Sequence, residues 1–429
     1  MPTLCVAADN LCMETSKPSS MWIWAAMLVV CVAVAYHNSF KGEFIFDDHS
    51  NIVKNEALKH LSEPGKVLFA PKNASRPLVS LTLAIDYALF GLKPGGYHAI
   101  NLGAHVLAAL LLFGIVRRTL LSEQLKARFG ASSGALAFCA ALIWAVHPLT
   151  TEAVTYIVQR AESMMGMFFL LALYCVIRAA GSEKKLAWHV AAVAAALLGA
   201  GCKQVIVVIP IIVLLYDRCS ISRSFMAALR RAPGLYAGLA ATWPVVFVLL
   251  ALEPKVGSAG FSIKSFAWYE YAWSQFVVIL HYLKLAFWPL SLCFDYDWHI
   301  ERDGSRVIPC AAVVIGLVGV TLWQVIKNTA AGFCGAWFFL ILAPTSSIMP
   351  VADLAAERRM YLPLAAIAVL FVIGAFGLFE RALAKSTSAS NVPIRCTLAF
   401  AFAVSSALGI LTVRRNALYQ DETDRKSVV

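Results

Sequence analysis

Asp47 and Asp48 stand side by side in Phe46-Asp47-Asp48-His49, just past the first long apolar run of the 429-residue chain. Two adjacent carboxylates outside a bilayer can act as a base, an acid or a metal ligand. Further ionisable residues gather at the ends of other apolar runs. Arg76-Pro77 precedes Leu78-Val79-Ser80-Leu81, and His147-Pro148 closes the third run. Glu152, Arg160 and Glu162 cross the turn into the fourth run, Lys203 lies between the fifth and sixth, and Glu357-Arg358-Arg359 leads into the tenth. A guanidinium grips phosphate bidentately, and a carboxylate beside it could deprotonate an attacking hydroxyl. A donor that carries phosphate and lives in the membrane would be a lipid-phosphate sugar. On this reading Asp47 and Asp48 are the catalytic carboxylates. Arg76, His147, Glu152, Arg160, Glu162, Lys203, Glu357, Arg358 and Arg359 form the donor site. No cofactor is otherwise called for, and a divalent cation at the carboxylates is left open.

The same residues have plainer readings. Asp48 could cap a short helix running from Asn51. His147-Pro148 could end a helix, with the imidazole on its last carbonyls. Glu152, Arg160 and Glu162 could form a structural ion-pair network, and Lys203 could sit at the membrane interface. Arg358 and Arg359 project about 100° apart on a helix, so one could bind a ligand while the other pairs with Glu357 or snorkels to headgroups. Asp295-Tyr296-Asp297 looks like a metal-binding Asp-x-Asp, but it falls on the wrong side for a cytosolic nucleotide sugar.

The elements that must position these groups are membrane helices. The chain is 60% hydrophobic and 14% charged, against about 25% charged in soluble domains. Its many long apolar runs predict an all-α, polytopic transmembrane bundle. They fall near 21–36, 97–116, 134–148, 164–179, 186–201, 204–217, 234–252, 306–326, 331–348, 361–380 and 394–412. The first run lacks a small-x-small cleavage site and reads as a retained span. Basic residues concentrate in the loops after the even-numbered spans, which gives about eleven spans with the N-terminus inside and the C-terminus outside. That parity divides the chain into a cytoplasmic tail (1–20), a membrane domain (21–413) with extracytoplasmic loops 37–96, 253–305 and 349–360, and an outer tail (414–429). Segment 268–290 would invert the later spans if it crossed, so it reads as re-entrant or surface-lying. Segment 386–392 reads as a flexible linker. The net charge of +11 is explained by those loops, not by nucleic acid. The eleven cysteines are scattered singly and read as small core residues.

Several stretches, taken in order, resemble the transmembrane and TPR-repeat-containing O-mannosyltransferases (TMTC) and their bacterial relatives. They are Phe46-Asp47-Asp48, Arg76-Pro77-Leu78, Tyr97-His98-x-x-Asn101, His147-Pro148-x-x-Thr151-Glu152-x-Val154 and Arg160-Ala161-Glu162, then Leu215-Tyr216-Asp217, Pro344-Thr345-Ser346-Ser347-Ile348 and Ala356-Glu357-Arg358-Arg359-Met360-Tyr361-Leu362-Pro363. The resemblance implies the GT-C glycosyltransferase fold. It also implies transfer of a sugar, mannose or another hexose, from a polyprenyl- or dolichyl-phosphate donor to an acceptor protein outside the cytoplasm. The membrane would be the bacterial inner membrane or the endoplasmic reticulum. By the same resemblance Asp47 or Asp48 is the first-loop catalytic acid residue, and Arg358 and Arg359 are candidates for the lipid phosphate. Two departures stand out: Lys203-Gln204 replaces the family's Lys-Glu, and the sequence stops where a TPR array would begin. A transporter or flippase of a lipid-linked or anionic substrate, and a non-catalytic membrane scaffold, are the rival readings.

Overall fold

The computed structural model describes residues 18–70, 72–252, 260, 263, 265–383 and 391–420. The linker at 386–392 and the outer tail therefore lie largely outside the described residues.

Apolar runs become helices here because a backbone in lipid must satisfy its own N–H and C=O groups. The main helices are α1 (Pro18–Ala35), α2 (Pro77–Phe90), α3 (Pro94–Leu120), α4 (Ser133–Ala145), α5 (Arg160–Ala180), α6 (Lys185–Ala200) and α7 (Ile209–Asp217). They continue as α8 (Pro233–Ala251, two helices end to end), α9 (Trp268–Phe287), α10 (Gly304–Ile326), α11 (Ala330–Leu342), α12 (Pro363–Leu383) and α13 (Val392–Ala417). Prolines at the first turns of α2 and α3 start helices where a missing N–H costs nothing. Arg117, Arg118 and Arg178 sit in the last turns of α3 and α5, where cations complement the helix dipole.

No strand forms among the described residues. The fold is all-α, and the protein is a multi-pass membrane protein. Each of the eleven apolar segments coincides with a helix. Nine described helices are long and apolar enough to cross a bilayer, and the segments at 186–201 and 331–348 give the shorter α6 and α11. Helix α13 runs on to Ala417, so the first residues assigned to the outer tail are helical. The outward faces stay apolar; on α10, Ile308, Ile315, Leu322 and Ile326 are exposed, as a lipid-facing helix requires.

The bundle has two unlike ends. At one, Arg128 pairs with Glu380 (2.7 Å), Arg218 donates to the Val325 carbonyl (2.6 Å) and Asn328 donates to that of Arg223 (3.2 Å). These are the basic loops that the charge pattern groups together. At the other end the carboxyl end of α1, the turns at 147–160, the segment 353–362 and the end of α13 converge. There Tyr36 bonds Thr150 (2.9 Å), and Asn416 both donates to the Ala35 carbonyl (3.1 Å) and accepts from Thr155 (2.7 Å).

Helix α9 packs along this second end. Tyr271 donates to the Thr345 carbonyl (2.6 Å), Gln275 to that of Leu354 (3.2 Å), and Tyr282 accepts from the Ala356 N–H (2.8 Å). Near its last turn the Ala286 carbonyl meets His147 (3.2 Å).

Candidate functional site

Short irregular turns between helices supply the site, so its backbone is held by side chains. Asp48 is fully buried. Its Oδ1 accepts from the Val158 N–H (2.8 Å) and its Oδ2 from the Ile45 N–H (3.1 Å). A short helix does follow, at His49–Val53, but the Asp48 side chain makes no capping bond to it. The capping expectation is thus corrected: the carboxylate reaches backward and across, and ties the first loop to the turn before α5. Burial pushes its pKa up to about 7, against the pull of the two N–H groups.

Asp47 differs in every respect. It is exposed, and no described side chain donates to its carboxylate. Its N–H donates to the Tyr156 hydroxyl (3.0 Å), and its carbonyl accepts from Asn51 (2.9 Å). The adjoining Phe46 has a positive φ of 43°, a conformation uncommon for a bulky residue. Its ring stacks on Phe294 at 4.7 Å. The phenol of Tyr156 is raised by burial and then by the charges of Asp47 and Asp48, and is lowered by Arg358. The two carboxylates and Arg358 therefore act on one hydroxyl.

Arg358 donates to Glu152 from both its backbone N–H (2.7 Å) and its guanidinium (2.5 Å), and to Asp353 at 2.6 Å. Its side chain keeps 20% of its surface exposed. Lys203 pairs with the buried Glu162. The helix before Lys203 ends at Ala200, and the ammonium is held by Glu162 just past that end. Burial lowers the Lys203 pKa, Glu162 raises it, and Arg358 and Arg76 lower it. Arg76 and Arg358 thus each lie within electrostatic reach of Lys203.

The remaining predicted residues are occupied with structure. Arg160 is fully buried: it pairs with Asp86 (2.5 Å) and donates to Asn101 (2.6 Å) and the Tyr97 carbonyl (3.0 Å). Glu152, Arg160 and Glu162 do not form one network; each has its own partner. His147 is buried with both ring nitrogens engaged. Nδ1 accepts from the Leu149 N–H (3.1 Å) and Nε2 donates to the Ala286 carbonyl. It caps the following turn, not the end of α4, and burial lowers its pKa to about 4, so the ring is neutral. Arg359 is buried against the carbonyls of Asp353 and Leu354. Glu357 pairs with neither neighbouring arginine. It accepts from the Cys293 N–H (2.7 Å), the Tyr296 hydroxyl (2.8 Å) and Arg415 (3.1 Å), and burial raises its pKa to about 7.

The segment 357–362 is anchored from below. Trp144 donates to the Tyr361 carbonyl (2.6 Å), and His105 bonds the Tyr361 hydroxyl (2.9 Å). The ring lies so close to α5 that a Cβ at Gly166 would meet it at 2.5 Å.

Asp295 and Asp297 are exposed and form a tight local turn, with the Asp297 N–H on Asp295 Oδ1 (3.1 Å). No group of three or more His, Cys, Asp or Glu among the described residues is arranged to hold a metal. Asp86, Tyr156, Asp353 and Arg415 are the partners that sequence reading missed. Asp86, a lone carboxylate in the apolar Pro77–Phe90, was the one with a signal.

No family model matches the sequence. The curated proteins it resembles are TMTC protein O-mannosyl-transferases. TMTC3 of Mus musculus is 33% identical over 174 residues, 38% of this chain and 18% of that protein. TMTC4 of the same species is 26% identical over 423 residues, covering 83% of this chain and 56% of its own length. The Caenorhabditis elegans O-mannosyl-transferase F38B6.6 is 25% identical across 81% of this chain and 50% of that protein. The chain thus spans about half, or less, of these relatives. Among solved structures, the Archaeoglobus fulgidus oligosaccharyltransferase tethered to an acceptor peptide aligns with 93% of this chain and 55% of its own, with a TM-score of 0.50 at 12% identity. That likeness carries the fold, which is of GT-C type as the sequence resemblance implied.

Proposed function

We propose that this chain is the membrane part of a glycosyltransferase that moves a hexose from a polyprenyl- or dolichyl-phosphate donor to a protein hydroxyl. The hexose is mannose if the chain shares the activity its relatives are named for. The observation that carries the reading is the division of labour at Asp47-Asp48: one carboxylate is spent on two backbone N–H groups, and the other stays open beside Tyr156 and within the field of Arg358. Asp47 takes the proton of the acceptor hydroxyl, whose oxygen attacks C1 of the sugar. The C1–O bond to phosphate breaks, and the polyprenyl phosphate leaves with its charge met by Arg358, Lys203 and Arg76. The site faces away from the cytoplasm, since the basic loops occupy the other end of the bundle. The membrane is the endoplasmic reticulum or the bacterial inner membrane.

Supporting this choice of phosphate ligands, Arg358 is held from one side by Glu152 and Asp353 and keeps a free face, whereas Arg160 and Arg359 are enclosed. Glycoproteomic comparison of cells expressing the full-length protein with cells carrying Arg358→Ala tests the phosphate role. Loss of the transferred hexose in the variant, at equal protein abundance, is expected. Unchanged occupancy would remove Arg358 from the donor site.

A further inference from the structure

A second basic constellation lies at the opposite end of the bundle, outside the proposed catalytic site. Helix α3 begins at Pro94 and carries Arg117 and Arg118 in its last turn, roughly 35 Å further along at 1.5 Å per residue. Beside it, Arg178 ends α5. Arg118 and Arg178 both lie close enough to the Tyr174 hydroxyl to act on it electrostatically. Arg118 also lies 5.5 Å over the Tyr174 ring, and Arg178 4.8 Å over that of Trp188. The ring fits there because α3 has Gly114, where a Cβ would meet Tyr174 at 2.8 Å. Among the described residues no carboxylate pairs with Arg118 or Arg178. Both are half-buried, and a half-buried cation without a counter-charge is costly near lipid.

Arg118 and Tyr174 line an apolar cleft of about 490 Å³ between α1, α3 and α5, together with Trp22, Ala25, Leu107, Leu111, Met167 and Leu171, and Arg178 lies beside Tyr174. We propose that the cleft binds one anionic phospholipid of the adjoining leaflet, its phosphate on Arg118 and Arg178 and an acyl chain along the apolar wall. Charge complementarity and the continuity of basic rim with apolar wall fit a lipid with a net negative headgroup. Basic pockets between membrane helices hold such headgroups. A zwitterionic lipid would leave the rim charge unmatched. The site is separate from the sugar donor and stands whether or not the transfer reaction does.

Native mass spectrometry and thermal unfolding of the full chain in detergent, with added phosphatidylglycerol, phosphatidylcholine or inorganic phosphate, test this. The expected result is one phosphatidylglycerol retained per chain and a raised melting temperature, with neither effect from phosphatidylcholine or phosphate. Arg118→Gln with Arg178→Gln should weaken retention roughly 30-fold, since each basic residue near an anionic lipid surface contributes about a fivefold factor. Ala25→Phe, which fills the cleft and leaves the charges, should also weaken it. Arg128→Gln, at the same end but paired with Glu380, should not. Equal retention of phosphatidylcholine, equal stabilisation by free phosphate, or retention unchanged in both cleft variants would overturn the proposal.

Discussion

The two ends of this bundle hold charge in opposite ways. At the basic end, arginines sit in the last turns of helices or pair across the surface, as Arg128 and Glu380 do with about half of each side chain exposed. At the other end the charges are sunk among turns, and nearly every one has a dedicated partner: Arg160 with Asp86, Lys203 with Glu162, Arg358 with Glu152, Arg415 with Glu357. A surface pair contributes little. A buried pair need not stabilise, but it fixes its members, because a lone buried charge is heavily penalised. The difference teaches that the second end is a rigid frame, and that the open carboxylate of Asp47 is the exception within it.

The comparison breaks first at Arg160. Arg160→Ala leaves Asp86 buried and uncompensated, so unfolding in detergent should cost about 3–5 kcal/mol less; an unchanged melting temperature would show that the network is not structural. Asp48→Ala strands two buried N–H donors and should destabilise by about 1–3 kcal/mol, measured the same way, with a much smaller loss if water replaces the carboxylate. A pH series sharpens the picture. Asp48 and Glu357 titrate near 7, above their usual 3.8 and 4.5. The folded protein therefore keeps protons that the unfolded chain releases. The resulting stabilisation is fully present below those usual values and is lost as pH rises to about 7. Thermal melts from pH 4 to 8 should show that decline, and Asp48→Asn with Glu357→Gln should flatten it. The smallest effect belongs to the other end: Arg128→Ala should cost about 1 kcal/mol or less.

The sequence made the scaffold legible because lipid imposes a simple rule. Apolar runs must be helices, and all eleven are. The meeting of the first loop with the turn at 147–160, and of that turn with Arg358, was also legible, since these segments fall on the same side by parity. Which of them face a substrate was not. Asp47 and Asp48 are chemically identical neighbours, and only the N–H groups of Ile45 and Val158 separate them, the latter 110 positions away. Glu357 looked as if it would take an arginine beside it, but its partners are Tyr296 and Arg415, brought in by the loop after α9 and by α13. His147 appeared as a helix end and is in fact the cap of the next turn. Such choices depend on tertiary contacts between segments far apart in the chain.

The central claim is that Asp47 is the base and Asp48 the strut. The direct test is hexose transfer to protein in cells expressing the full-length protein, measured for Asp47→Asn and Asp48→Asn alongside the melting temperature of each purified variant. Asp47→Asn should lose transfer by about 10²- to 10⁴-fold with its melting temperature intact, while Asp48→Asn should lose stability first. Full transfer by Asp47→Asn, or complete loss by Asp48→Asn at unchanged stability, would contradict the account.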